Sequence, residues 1–190
     1  MEPGFFWQAG TGASGDYTRW TSNDSLRTES RTFLSASGRV GGNVSEQLGA
    51  EVGTDFSLLT DYWDWPVFDL YVALKLRPVR SWNLMVFSER HLTEFGLGAV
   101  IGLPFRGEER LSLTAGCGFG GVTENLNWEP RFWETTCYSR ASLGVAWTFP
   151  LGPVRIGPSV GAICKWYENP LRGTWTAASL GLTAWGHAGR

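Results

Sequence analysis

The segment Arg110–Val122 reads Arg-Leu-Ser-Leu-Thr-Ala-Gly-Cys-Gly-Phe-Gly-Gly-Val, and its pattern decides the fold. Leu111, Leu113, Ala115, Cys117 and Phe119 fall at every second position. Arg110, Ser112, Thr114, Gly116, Gly118 and Gly120 fill the places between. A period of two belongs to an extended strand, whose successive side chains leave on opposite faces. One face is apolar throughout; the other carries glycine, hydroxyls and an arginine.

The same split recurs on both sides of this segment. In Arg140–Phe149, Ala141, Leu143, Val145, Trp147 and Phe149 oppose Arg140, Ser142, Gly144, Ala146 and Thr148. In Glu94–Phe105, Phe95, Leu97, Ala99, Ile101, Leu103 and Phe105 oppose Glu94, Gly96, Gly98, Val100 and Gly102. Val67–Val79 and Leu48–Leu59 repeat it. Ten strands follow: Gly4–Gly12, Arg31–Gly42, Glu46–Thr60, Val67–Pro78, Trp82–Glu89, Thr93–Phe105, Arg110–Val122, Cys137–Phe149, Val154–Trp166 and Thr174–Trp185. Without the first and fifth the count is eight. Short connections (Asn43–Ser45, Val79–Ser81, Arg106–Glu109, Pro150–Pro153) alternate with longer ones (Ala13–Ser30, Asp61–Pro66, Thr123–Thr136, Tyr167–Gly173), Arg90–Leu92 excepted. Short turns at one end and long loops at the other are the outer-membrane arrangement.

Composition narrows the class. Charged residues are 18% of the 190, below the roughly 25% of soluble domains. No run approaches the ~18 consecutive apolar residues of a spanning helix, and mean hydropathy is -0.13. A net charge of -2 with no basic stripe excludes a nucleic-acid binder. Three cysteines and two histidines fit no zinc spacing, so neither metal nor cofactor is expected. Met1–Trp7 has no basic segment leading into an apolar run. The chain therefore reads as the mature part of an exported protein with an added Met, its signal peptide removed.

Alternation alone also fits a soluble lipocalin-like barrel with the apolar face inside. The second face discriminates. Small residues and scattered charges of both signs suit the crowded interior of a narrow barrel better than a soluble surface. The expected interior charge network is Arg39, Glu51, Asp55, Asp69, Lys75, Arg77, Glu94, Arg110, Arg140 and Arg155, with Lys165 beside it. Such charges must be paired, because a stranded one costs several kcal/mol. Trp7, Trp63, Trp65, Trp82, Trp147, Trp166, Trp175 and Trp185 fall near strand ends, as an interfacial girdle requires. Pro158, in mid-strand, lacks a ladder donor and calls for a bulge.

The run Gly38-Arg-Val-Gly-Gly-Asn-Val-Ser-Glu-Gln-Leu-Gly-Ala-Glu-Val-Gly-Thr-Asp-Phe56 resembles the strand–turn–strand unit of OmpA/OmpX-like small outer-membrane barrels. The glycine alternation in Leu111–Val122 is similar. The resemblance implies an all-β fold, a closed antiparallel up-and-down transmembrane β-barrel formed by residues 1–190 as one domain. It implies a bacterial outer-membrane location, with the lipid bilayer and lipopolysaccharide or similar lipid as surroundings. Such families include anchors, adhesins, narrow channels and lipid A-modifying enzymes, so membership alone fixes no activity.

Several residues are weighed for chemistry. Ser88, His91 and Glu89 or Glu94 could form a nucleophilic set, although Ser88 and His91 fall on opposite faces of an extended segment, which favours a solvated loop histidine. Asp61, Asp64 and Asp69, with Glu168, could be a rim carboxylate group, or simply a solvated loop. Trp128, Arg131, Phe132 and Trp133 form a candidate recognition surface, or a loop folded over the barrel mouth. A tight turn at Pro150–Leu151 would set Trp147 opposite Val154, Val145 opposite Ile156, Leu143 opposite Pro158, and Cys137 opposite Cys164. A disulfide between those cysteines is then conceivable, the other reading being three lipid-facing thiols. Turns centred on Glu108 and Val44 would set Leu103 opposite Leu113, Phe105 opposite Leu111, and Val40 opposite Leu48. The expectation is a monomeric envelope barrel with a structural or surface-interaction role, or a narrow channel with a charged lumen. The alternatives are an outer-membrane enzyme acting on lipid A or peptides, and the soluble ligand-binding barrel.

Overall fold

A computed structural model describes residues 4–22, 25–59, 67–79, 82–89, 94–125, 133–168 and 172–188. They form ten strands in one closed antiparallel barrel: β1 Gly4–Ser22, β2 Ser25–Asn43, β3 Leu48–Leu59, β4 Val67–Val79, β5 Trp82–Glu89, β6 Glu94–Pro104, β7 Arg110–Asn125, β8 Trp133–Leu151, β9 Val154–Glu168 and β10 Arg172–Ala188. Each strand pairs with its neighbours in sequence, and β1 pairs with β10. All ten expected strands are present.

The faces are as the alternation requires. Leu143 is 68% exposed, Phe119 66% and Leu74 61%, all on the outer wall, whereas Glu94 is 0%, Lys165 4% and Glu51 4% exposed on the inner one. Leu113 and Val145 face out; Lys75 and Arg140 face in. The soluble barrel with reversed faces is thereby overturned. Trp7, Trp82, Trp147 and Trp166 lie on the outward face, but Trp175 and Trp185 are inside, in register with the inward Lys165 and Arg155. They leave the expected girdle; Trp63 and Trp65 lie outside the described residues.

The hairpin registers differ from expectation by even steps. Leu103 pairs with Leu111 and Ile101 with Leu113. Val40 pairs with Val52. Val145 pairs with Val160 and Leu143 with Ala162. The β8–β9 turn is Gly152–Pro153, with Leu151 opposite Val154. Gly152 has φ 63°, the positive value a two-residue hairpin needs at its first central position. An even slip keeps each side chain on its face, so the walls survive while the partners change. Cys137 now stands opposite Glu168, and Cys164 opposite Ala141. Cys117, Cys137 and Cys164 are free thiols.

Ala13–Ser30 is not a loop. β1 runs to Ser22 and β2 starts at Ser25, in continuous register. β3 meets β2 only from Phe33 onward, so the described part of the β1–β2 ribbon rises beyond the end of β3. At Pro158 the expected bulge is absent. The β8–β9 pairing lapses between Ala146↔Ser159 and Phe149↔Ile156 and resumes in the same register. No residue is inserted; a proline without an N–H interrupts the ladder instead. A Cβ on the adjacent Gly157 would lie 2.9 Å from the Thr148 Cα, so the strands meet there through glycine.

Candidate functional site: the charged lumen

The interior takes its character from one nearly bare strand. β7 presents Gly116, Gly118 and Gly120 to the lumen, in register with Gly98, Gly96 and Glu94 of β6 and with Ser142, Arg140 and Tyr138 of β8. With no side chain in the way, Glu94 reaches over β7. Its carboxylate pairs with Arg140 and with Lys165 at 2.9 Å, and accepts a hydrogen bond from the Tyr138 hydroxyl. A carboxylate sealed from water requires such partners, since its desolvation otherwise costs several kcal/mol. Gly118 has no room for anything larger: a Cβ there would lie 2.5 Å from the Phe95 carbonyl oxygen.

From Glu94 the contacts run both ways round the barrel. The Arg140 guanidinium lies 5.0 Å from the centre of the Phe87 ring. Phe87 stacks on Tyr71 at 6.2 Å, and Arg39 covers Tyr71 at 4.0 Å while pairing with Asp55 at 3.7 Å. On the other side Lys165 lies 5.5 Å from the Trp175 ring centre. The Trp175 indole N–H donates to Asp16 at 2.7 Å. Asp16 also accepts the Arg31 backbone N–H at 3.0 Å and pairs with its guanidinium at 3.2 Å. Every strand except β7 thus contributes a side chain to one belt of ion pairs, hydrogen bonds and cation–π contacts.

Nearer the short turns, Lys75 pairs with Glu51 and lies 4.6 Å from the Phe6 ring centre. Asp69 sits directly across from Asp55 in register. Arg77 is on the inner face of β4 toward the turn, and its backbone N–H donates to the Gln47 carbonyl. Arg110 and Arg155 lie at the turn-end mouth. Apart from these charges, one side of the lumen is lined by Gln8, Ser35, Ser37, Thr114, Ser159 and Ser179 around a cavity of about 260 Å³.

Of the ten expected interior charges, the structure joins Arg39 with Asp55, Lys75 with Glu51, and Arg140 with Glu94. Asp16, Arg31, Tyr138 and Trp175 were missing from the expectation. Asp16 and Arg31 fall in the segment read as a loop; continuing the alternation of Gly4–Gly12 would have placed Asp16 inside. Of the nucleophilic set, the structure places Ser88 and Glu94 on opposite faces of the wall. Ser88 is opposite the outward Phe95, Glu94 faces inward, and His91 lies outside the described residues. Asp61 and Asp64 lie outside them too, as do Trp128, Arg131 and Phe132, while Trp133 opens β8. Among the described residues no group of His, Cys, Asp and Glu is placed to hold a metal.

No family model matches the chain, and no curated protein is significantly similar in sequence. Among solved structures it is similar to Neisserial surface protein A (11% identity, 97% of each chain, TM-score 0.46). It is also similar to the N-terminal β-barrel domain of Pseudomonas aeruginosa OprF (12% identity, 93% of this chain and 96% of that one, TM-score 0.37). A third is the outer membrane protein OprG of Pseudomonas aeruginosa (9% identity, 98% of each, TM-score 0.37). These TM-scores lie below 0.5, so the fold stands on strand register and on the two faces.

Proposed function

We propose that this protein is a monomeric outer-membrane barrel of the bacterial envelope, a braced anchor that holds its loop-end hairpins outside the cell. The observation that carries the reading is the outer wall. Leucine, valine and phenylalanine cover it on all sides, while Glu51, Lys75, Glu94, Arg140 and Lys165 are turned inward. That arrangement suits hydrocarbon, where each backbone polar group must be satisfied within a closed sheet. Strand length supports the hairpins. At about 3.3 Å per residue and a tilt near 45°, the 19 residues of β1 rise about 45 Å, against an apolar band about 25 Å tall. Most outward residues in the upper part of β1 and β2 are polar, Arg19, Thr21, Thr28, Ser30 and Thr32, with Tyr17 and Leu26 among them. Lipid, including lipopolysaccharide, is the expected surrounding, and Trp128, Arg131, Phe132 and Trp133 are the residues to substitute in a search for surface partners.

The test is extraction and heating. The folded chain should require detergent to stay dispersed, fractionate with outer membranes, and migrate differently on gels before and after boiling. A monodisperse, detergent-free protein would overturn the reading. A narrow channel is the second reading, favoured by the hydroxyl-lined cavity. The sealed Glu94 belt argues for the anchor. Planar-bilayer recordings decide between them: the anchor gives no resolved current steps, the channel does.

A further inference from the structure

Among the described residues the lumen carboxylates Asp16, Glu51, Asp55 and Glu94 are paired with other bases, and two arginines at the turn-end mouth make no ion pair. Arg110 and Arg155 both face inward there, on either side of β8. Among the described residues neither makes an ion pair. Arg155 donates to two backbone carbonyls, those of Glu108 and Thr148, the latter at 3.2 Å. The carboxylates of the adjoining turn form no salt bridge with either arginine, although Glu108 lies near enough to Arg155 to attract it electrostatically. Glu109 accepts the indole N–H of the outward Trp147 at 3.0 Å, and Glu108 is exposed.

Between the two arginines stands Thr148. It is inward, directly opposite Arg110, and only 1% exposed, yet its hydroxyl has no hydrogen-bond partner. A buried hydroxyl without a partner is costly. Its position follows from the lapse in the β8–β9 ladder opposite Pro158, which leaves the Thr148 carbonyl to accept from Arg155.

We infer that Arg110, Arg155 and Thr148 form an anion site at the turn-end mouth of the lumen, fitted to a phosphate group. Two guanidinium groups and a hydroxyl, presented from three adjacent strands, match a tetrahedral oxyanion, and charge-assisted hydrogen bonds from arginine favour it. The same group could arrive as free phosphate or as the phosphate of a lipid headgroup.

The full chain, folded in a maltoside detergent that carries no phosphate, is titrated calorimetrically with inorganic phosphate and, separately, with a short-chain phosphatidic acid below its micelle concentration. Saturable binding is expected to at least one, and the tighter ligand identifies the source. Arg110→Gln should weaken binding about tenfold, the loss of one charge-assisted bond. Thr148→Val should weaken it severalfold while leaving the urea midpoint unchanged or raised, because the hydroxyl has no partner to lose. Arg19→Gln, on the outer face, should bind as the parent does. Absence of saturable binding to both ligands, or unchanged affinity in either Arg110→Gln or Thr148→Val, overturns the site.

Discussion

The Lys165 ammonium lies 2.9 Å from the Glu94 carboxylate, although the two residues are 71 positions apart in sequence and three strands apart in the barrel. The pair holds β6 to β9 across a strand of glycine, and Arg140 makes the same carboxylate hold β8 as well.

Glu94 is the carboxylate that two inward bases, Arg140 and Lys165, share. Glu94→Gln removes the counter-ion that Arg140 and Lys165 share and should cost about 3–5 kcal/mol. Lys165→Met should cost less, since Glu94 keeps Arg140. Urea titration in detergent, followed by tryptophan fluorescence, measures both. Equal and small losses would remove the belt from any account of stability.

Gly118 should be as intolerant as the carboxylate it lets pass. Gly118→Val places branched carbon where the Phe95 carbonyl already is, and overpacking of this kind costs about 1–3 kcal/mol. Gly15, which would meet nothing within 4 Å, is the control; its substitution to Val should leave the urea midpoint nearly unchanged.

The cysteines should titrate as three thiols in denaturant without reductant. Cys137 and Cys164 lie four positions out of register and do not bridge. Cys164 and a cysteine introduced by Ala141→Cys are direct cross-strand partners and should cross-link under mild oxidation. A Cys137–Cys164 linkage found by peptide mapping would refute the β8–β9 register.

The outer wall yields a depth-dependent prediction. Val145→Arg places a cation on the apolar face in mid-strand and should cost about 2–4 kcal/mol in a bilayer. Thr28→Arg, on the ribbon beyond the end of β3, should cost almost nothing. Unfolding midpoints in lipid vesicles compare them, and equal costs would show that Val145 does not face hydrocarbon.

The walls of this barrel were legible in the sequence, and the partners across them were not, for one reason. Facing depends on position modulo two, and Leu113, Val145 and Arg140 display it directly. Pairing depends on where a turn closes, and Gly152–Pro153 rather than Pro150–Leu151 closes β8 onto β9. The upper part of β1 and β2 was unreadable because alternation needs a dry face. Arg19, Thr28, Glu29 and Ser30 are exposed together, so nothing there marks an extended chain, and Asp16 and Arg31 were lost with it. The interior charges could be placed inside singly. That Glu94 meets Lys165 depends on the missing side chains of Gly118 and Gly120 between them, which no reading of a single strand reveals.

The ladder between β1 and β10, which runs from Phe5↔Ala188 to Thr21↔Arg172, bears on how the molecule comes into being. A ring closed by its first and last segments cannot be completed while the last is unmade, and until then two open margins invite stray partners. The open margins of the emerging sheet need cover until β10 is made and can meet β1. Deleting the final segment would leave a sheet without a seam rather than a smaller ring.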